Sequence, residues 1–254
     1  MTIDALVRTE GLTRKFGGLL ANRDVAIEIH RGLLHAVLGP NGAGKSTMIN
    51  LLSGDLIPSS GHIYYKGRDI SPLPAHRRSQ MGIGRSYQRT NIFPAFTVFE
   101  NCRLAAQSRR PHPARIFSSA LGYRAVCESA ERAMELAGLS PRAHRRADTL
   151  SHGEQRQLEI AMVIATEPDV LLLDEPLAGM GGEESSRMVE LLDRIAPEHG
   201  ILLVEHDMDA VFAVAKVVTV MVNGEVLESG SPEQIRASPR VQVAYLGGAE
   251  EHDG

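Results

Sequence analysis

Apolar and polar positions alternate through the first thirty residues and then give way to a continuous apolar run. Val25, Ile27 and Ile29 alternate with Ala26, Glu28 and His30, which predicts a half-buried strand. "LLHAVLG" (33–39) predicts a more deeply buried strand that runs straight into a glycine-rich loop. "KSTMINLLSG" (45–54) reads as a helix closed by Gly54, and "GHIYYKGRDI" (61–70) as a hairpin turning at Gly67. These early strands predict a small antiparallel layer beside a main sheet. From about 97 to 166 the period is helical. Thr97 with Glu100 three positions on has the spacing of a capping box, "SRRPHPARIFSS" (108–119) reads as a loop, and residues 123–139 resume a helix that stops at Gly138.

The pattern then switches back. "DVLLLDEP" (169–176) and "GILLVEHD" (200–207) are buried strands ending in polar residues, with a helix at 182–196 between them. "VVTVMVNGEVLESG" (217–230) turns at Asn223–Gly224. Strands alternating with helices predict an α/β fold with a mainly parallel core sheet, an antiparallel β layer and an inserted helical subdomain. The expected division is one domain over 5–247, with a core of 5–96 and 167–247, a helical subdomain of about 97–166 and a tail at 248–254.

Composition narrows the class without naming it. The 254 residues are 43% hydrophobic and 23% charged, ordinary for a globular protein with a sizeable core. A net charge of −4 lacks the basic balance of a dedicated nucleic-acid binder, so no nucleic-acid partner is expected. The basic stretches 76–85 and 141–146 read as solvated faces or, for 76–85, as a surface that faces a partner. Cys102 and Cys127 form neither metal-ligand spacing nor a disulfide framework, and no zinc motif is present. The N-terminal segment has early acidic residues and no apolar core, and the run 210–222 is too short to span a bilayer and holds Lys216. A cytoplasmic protein is expected, held at any membrane by something else.

The chemistry is concentrated at strand ends. Gly39, Pro40, Asn41, Gly42, Ala43, Gly44, Lys45, Ser46 and Thr47 spell a phosphate-binding loop between a predicted strand and a predicted helix. Its backbone N–H groups would ring a nucleotide's phosphates, Lys45 would bring positive charge, and the Ser46 hydroxyl would face Mg²⁺. Asp174 and Glu175 close a buried strand at the edge where parallel sheets bind ligands. Asp174 would hold Mg²⁺ through water, and Glu175 would orient or deprotonate an attacking water. Gln88 either reaches the metal or the water through its amide oxygen or is a surface residue. His206, at the next strand's end, either contacts a γ-phosphate or is an ordinary histidine. "LSHGE" opens a second helix suited to an anion: Ser151 caps it, Gly153 lets a ligand approach the backbone, and Glu154 fills the first turn.

Phosphate-binding loop, glutamine, "LSHGE", "LLLDE" and "EHD" follow one another in an order that resembles the ATP-binding-cassette ATPases over nearly the whole chain. The resemblance implies a P-loop NTPase of that type. It implies that Phe16 stacks on adenine, that Gln88 senses a transmembrane partner, that Glu175 is the general base and that His206 contacts the γ-phosphate. It implies a head-to-tail dimer, with an identical or a paralogous cassette, in which Ser151 and Gly153 bind the γ-phosphate of ATP held by the other subunit. Four departures stand out: His152 and Glu154 where the family usually has glycine and glutamine, "LAGMG" without the usual aspartate after the catalytic strand, and Phe16 where tyrosine is more frequent. His152 either reaches the partner nucleotide's ribose or is a solvated side chain.

"LTRKFGGLLANRDV", a long insertion at 105–125, "VEHDMDAVF" and "SPEQIRASPRVQVAYLG" are similar to the ATP-binding subunits of branched-chain amino-acid importers, the LivG type. Related members serve amides or urea. That likeness implies transmembrane permease subunits, an external solute-binding protein and a peripheral position on the inner face of the cell membrane. The competing class, a cassette ATPase acting on nucleic acid or ribosomes, usually carries tandem cassettes or a coiled-coil insertion. This chain has one such loop and no heptad run.

Overall fold

The computed structural model describes residues 5–87, 91–109 and 124–246. Gln88, most of the 108–119 stretch and the tail at 248–254 lie outside the described residues.

The first third of the chain builds β1 (Val7–Phe16), β2 (Leu19–Val25), β3 (Glu28–Ile29), β4 (Leu34–Leu38), α1 (Lys45–Ser53), β5 (Ser60–Tyr65), β6 (Arg68–Asp69), α2 (Ala75–Met81) and β7 (Ile83–Arg85). Three longer helices follow: α3 (Val98–Ser108), α4 (Arg124–Leu136) and α5 (His152–Ala165). The chain then returns to the sheet with β8 (Val170–Asp174), α6 (Gly182–Ile195), β9 (Gly200–Val204), α7 (Met208–Val214), β10 (Val217–Val222) and β11 (Glu225–Gly230). It closes with α8 (Pro232–Ala237) and α9 (Pro239–Leu246).

Two sheets result. The larger runs β11-β10-β4-β9-β8-β7, parallel from β10 to β7, with β11 antiparallel at its edge. The smaller, antiparallel sheet runs β2-β1-β5-β6, with β3 also paired to β1. The continuous apolar strands have a simple cause: the main sheet is covered on both faces. Leu34, Ala36, Leu38, Leu171, Leu173, Ile201 and Leu203 point into the core shared with the helices. Val37, Val170, Leu172, Leu202 and Val204 point into the core shared with α1 and the smaller sheet. A strand with one wet face would alternate; one with two dry faces does not.

The helical region packs α3, α4 and α5 against one another, and α4 turns Val126, Ala130, Ala133 and Met134 inward at helical spacing. The Thr97–Glu100 capping box forms as expected. Cys102 is buried in this layer and its thiol is pushed up to about 12 by that burial, while Cys127 is partly buried; the two are not joined in a disulfide.

Two expectations change. The strand expected through Val25, Ile27 and Ile29 is interrupted after Val25, although all three side chains are buried. The Thr9 hydroxyl fills the gap, donating to the Val25 carbonyl at 3.0 Å and accepting from the Ile27 N–H at 2.9 Å. The basic stretch 76–85 is not simply a solvated face. Arg78 has 0% exposure and donates to the carbonyls of Leu51, Leu52, Ser71 and Leu73, and burial lowers its pKa to about 10. Charge-assisted bonds of about 1.5–3 kcal/mol each offset the desolvation of that guanidinium. Arg145 and Arg146, by contrast, are exposed.

Candidate active site

The phosphate-binding loop leaves the C-terminal end of β4 and enters α1, and neighbouring backbone dictates its shape. A Cβ on Gly39 would lie 2.2 Å from the Met221 carbonyl oxygen, and one on Gly44 would lie 2.3 Å from that of Ala21. Both glycines also have positive φ, so no other residue fits without moving β10 or β2. The Gly224 N–H donates to the Ala43 carbonyl at 3.1 Å, and the buried Asn22 amide donates to the Gly44 carbonyl at 3.2 Å. The β10–β11 turn and the β2 strand therefore buttress the loop. Among the described residues no side chain caps α1, and no acidic residue occupies its first turn, so its leading N–H groups and positive dipole end face the cleft.

Lys45 is 6% exposed and folds back onto the loop, donating to the Gly39 carbonyl at 2.6 Å and the Pro40 carbonyl at 3.0 Å. Burial lowers its pKa, and the charges of Glu175 and Asp174 oppose that shift. The acids come from β8. Because β9 lies between β4 and β8, the ends of three adjacent strands present the loop, His206 and the acid pair side by side.

Asp174 is 2% exposed. Among the described residues its Oδ1 has no hydrogen-bond partner, and its Oδ2 lies 3.7 Å from Arg85 Nη2. Burial raises its pKa, with Arg85 acting in the opposite direction. An orphaned buried carboxylate oxygen beside a buried ammonium is costly unless a ligand completes it. Mg²⁺ suits this donor chemistry: a hard cation bound by one or two protein oxygens, with substrate phosphates supplying the rest. Asp174 and the Ser46 hydroxyl fit that role. No cluster of three His, Cys, Asp or Glu side chains among the described residues could hold a metal by itself.

Glu175 takes φ 50°, a left-handed conformation disfavoured for a non-glycine residue, and its N–H donates to the Val204 carbonyl at 2.9 Å. Its Oε1 lies 2.5 Å from His206 Nε2. Phe16, Gly42, Lys45, Ser46, Thr47, Glu175 and His206 line one open cleft of about 560 Å³, together with Asn41, Ala43 and Gly44. Phe16 is 43% exposed at its rim, with the Arg14 guanidinium over the ring at 4.6 Å.

The residues 151–154 do not line this cleft. They gather at the N-terminus of α5, where Ser151 and Glu154 form a reciprocal capping box. Ser151 and Gly153 also contact Glu184 of α6, Glu154 pairs with Arg142, and His152 is exposed near Gly179. Sequence reasoning assigned nothing to three residues that organise the site. Glu205, buried, accepts from the Leu177 N–H at 2.7 Å and the His206 N–H at 3.1 Å, tying the β8 exit to the β9 exit. Arg85 balances Asp174, and Asn22 holds Gly44. Glu205 was visible within "EHD"; nothing in the local pattern marks Asn22 or Arg85.

Comparison with known proteins gives a consistent result. The ABC transporter family model matches residues 22–178, more than half of the chain, and a model of the branched-chain amino acid ATP-binding cassette transporter matches residues 225–251. The chain is 39% identical over 253 residues to the high-affinity branched-chain amino acid transport ATP-binding protein LivG of Escherichia coli, covering 96% of this chain and 98% of that one. It is 38% identical over 252 residues to BraF of Pseudomonas aeruginosa, which carries the same description, with the same coverage. Among solved structures, the ADP conformation of MJ1267, an ATP-binding cassette of an ABC transporter, superposes with a TM-score of 0.83 at 28% identity, covering 96% of this chain and 99% of that one.

Proposed function

The chain belongs to the ABC transporter family of ATP-binding cassettes, and on that premise we propose that it is the ATP-hydrolysing motor subunit of an importer for branched-chain amino acids. The observation that carries this reading is end-to-end similarity to branched-chain amino acid transport ATP-binding proteins, including the separate match at 225–251.

The mechanism follows from the cleft. The uncapped N–H groups of α1 and the loop 39–47 hold the phosphates of ATP, while Lys45 exchanges its two loop carbonyls for phosphate oxygens. Ser46 and Asp174 would hold Mg²⁺, which would neutralise charge on the phosphates. Phe16 stacks on the adenine, and its exposure at the rim supports this. Glu175 orients and deprotonates the attacking water, a role worth about 10²–10⁴ in rate. His206 restrains the Glu175 carboxylate and contacts the γ-phosphate. Gln88 reports on the metal and on the permease.

Residues 151–154 belong to the other half of a shared site. Two cassettes, identical or paralogous, meet head to tail, and Ser151, His152, Gly153 and Glu154 face the nucleotide held by the partner. ATP closes the pair and hydrolysis lets it part. The same reading divides the chain into a core of 5–96 and 167–247 and a helical subdomain at about 97–166. Among the described residues no helix is long and apolar enough to cross a membrane. The protein works on the inner face of the cell membrane beneath transmembrane permease subunits, served outside by a solute-binding protein. The exposed, stacked pair Phe93 and Phe96, with ring centroids 5.7 Å apart, supports a docking surface for the permease.

The test is co-purification from membranes followed by reconstitution with the associated permease and binding protein. ATP-dependent uptake of leucine, isoleucine or valine is the expected result. Uptake of an amide or urea instead would keep the motor and replace the solute; failure to associate with any permease would overturn the importer reading.

A further inference from the structure

The N-terminus of α5 already holds an anion, and it is the protein's own. Glu184, in the first turn of α6, accepts on one oxygen from the Ser151 hydroxyl at 3.1 Å and from the Gly153 N–H at 3.2 Å. These are the two groups assigned above to the partner's γ-phosphate. A carboxylate oxygen and a phosphate oxygen make the same demand of such donors, and two anions repel at one site. We propose that Glu184 is an internal competitor: it fills the anion site of α5 in the lone subunit, and the γ-phosphate of ATP carried by a second subunit must displace it before the pair can close. The inference rests on the shared-site reading of residues 151–154.

The geometry supports displacement rather than coexistence. A Cβ built on Gly153 would lie 2.5 Å from Glu184 Cδ, so the carboxylate sits directly on the backbone at the helix end. Glu184 has a reason to stay in the lone subunit, because its charge meets the positive end of α5. It also has a way out. Gly181 and Gly182 precede it, and a Cβ on either would meet nothing within 4 Å, so packing does not demand glycine there. Two glycines at the start of α6 leave the backbone free to reorient. Among the described residues no cation pairs with Glu184, whereas neighbouring Glu183 pairs with Arg187 at 3.1 Å. The consequence is a threshold on closure: the apparent dimer affinity falls by the fraction of time the site is filled from within.

The experiment measures ATP-driven dimerisation of the full chain by sedimentation, in a Glu175→Gln background that slows hydrolysis. Glu184→Ala should tighten the ATP-bound dimer about tenfold, the equivalent of one lost charge-assisted contact. Glu184→Gln should shift it in the same direction by less. Glu183→Gln removes the same charge one residue away without touching Ser151 or Gly153, and should change affinity by less than about twofold. Unchanged or weaker dimerisation in both Glu184 variants would overturn the competitor, as would equal tightening by Glu183→Gln. Ser151→Arg separates the two levels. If it abolishes the dimer while the Glu184 variants stay silent, the competitor alone fails; if the dimer survives it, the shared site fails and takes the competitor with it.

Discussion

Two helix N-termini in this chain are suited to phosphate, and they are prepared in opposite ways. At α1 the first turn carries no acid and, among the described residues, no side-chain cap, and a lysine and a carboxylate with no partner among those residues for one of its oxygens stand beside it. At α5 the Ser151 hydroxyl and the Gly153 and Glu154 N–H groups are already engaged: Ser151 and Glu154 cap each other, Glu184 accepts from Ser151 and Gly153, and Arg142 pairs with Glu154. The first arrangement stores polar strain that a nucleotide relieves. The second, on the proposed shared-site reading, is quiet until a stronger anion arrives. An open site suits a ligand that each subunit binds by itself, and a filled one suits a ligand that must bring a whole partner with it.

The largest effect expected from breaking this comparison lies at the open end. Glu175→Gln should lower ATP turnover by about 10²–10⁴-fold while nucleotide binding persists; equal turnover in a steady-state assay would remove the general-base assignment. Next, Lys45→Ala should weaken ATP binding by about 100-fold, read by calorimetry on the isolated chain, because two charge-assisted contacts disappear. Ser151→Arg, at the filled end, should leave that single-chain affinity within about twofold and yet suppress turnover. Comparable losses of affinity in both variants would erase the distinction between the two helices.

The smallest effect is on stability and carries a sign. Burial raises the Asp174 pKa above its ordinary value. The folded state therefore prefers this group protonated. Its favourable contribution is complete below the unfolded pKa of about 3.9 and is lost as pH rises through the raised folded value. At neutral pH the charged form burdens the nucleotide-free protein. Asp174→Asn should raise the melting temperature by about 2–4 °C, for a gain on the order of 1 kcal/mol, while abolishing Mg²⁺-dependent turnover. The stabilisation should shrink as pH falls toward 4; a constant gain across that range would locate its origin elsewhere.

Much of the fold was legible because its signals are local. The runs Leu34–Leu38, Val170–Asp174 and Gly200–Val204 declare strands with two dry faces, and Gly54 and the Thr97 capping box mark helix ends within a few residues. The short α2 and α7 escaped, because seven residues hold barely two turns and show little periodicity. The buried Arg78 was misread for a different reason. An arginine in a basic stretch looks solvated until the carbonyls that surround it, from residues up to 27 positions away, are brought near.

The same divide runs through the site. Chain order alone determined the loop 39–47, the acids at 174 and 175, His206 and the capped helix at 151–154, since each is a contiguous motif with its chemistry in its own side chains and backbone. Only the tertiary structure decided that β9 separates β4 from β8, so that His206 reaches Glu175; that the Met221 and Ala21 carbonyls forbid a side chain on Gly39 and Gly44; and that Glu184 sits on Gly153. Those are contacts between segments far apart in the chain, set by strand order and backbone packing, and no local periodicity encodes which distant carbonyl or carboxylate will arrive.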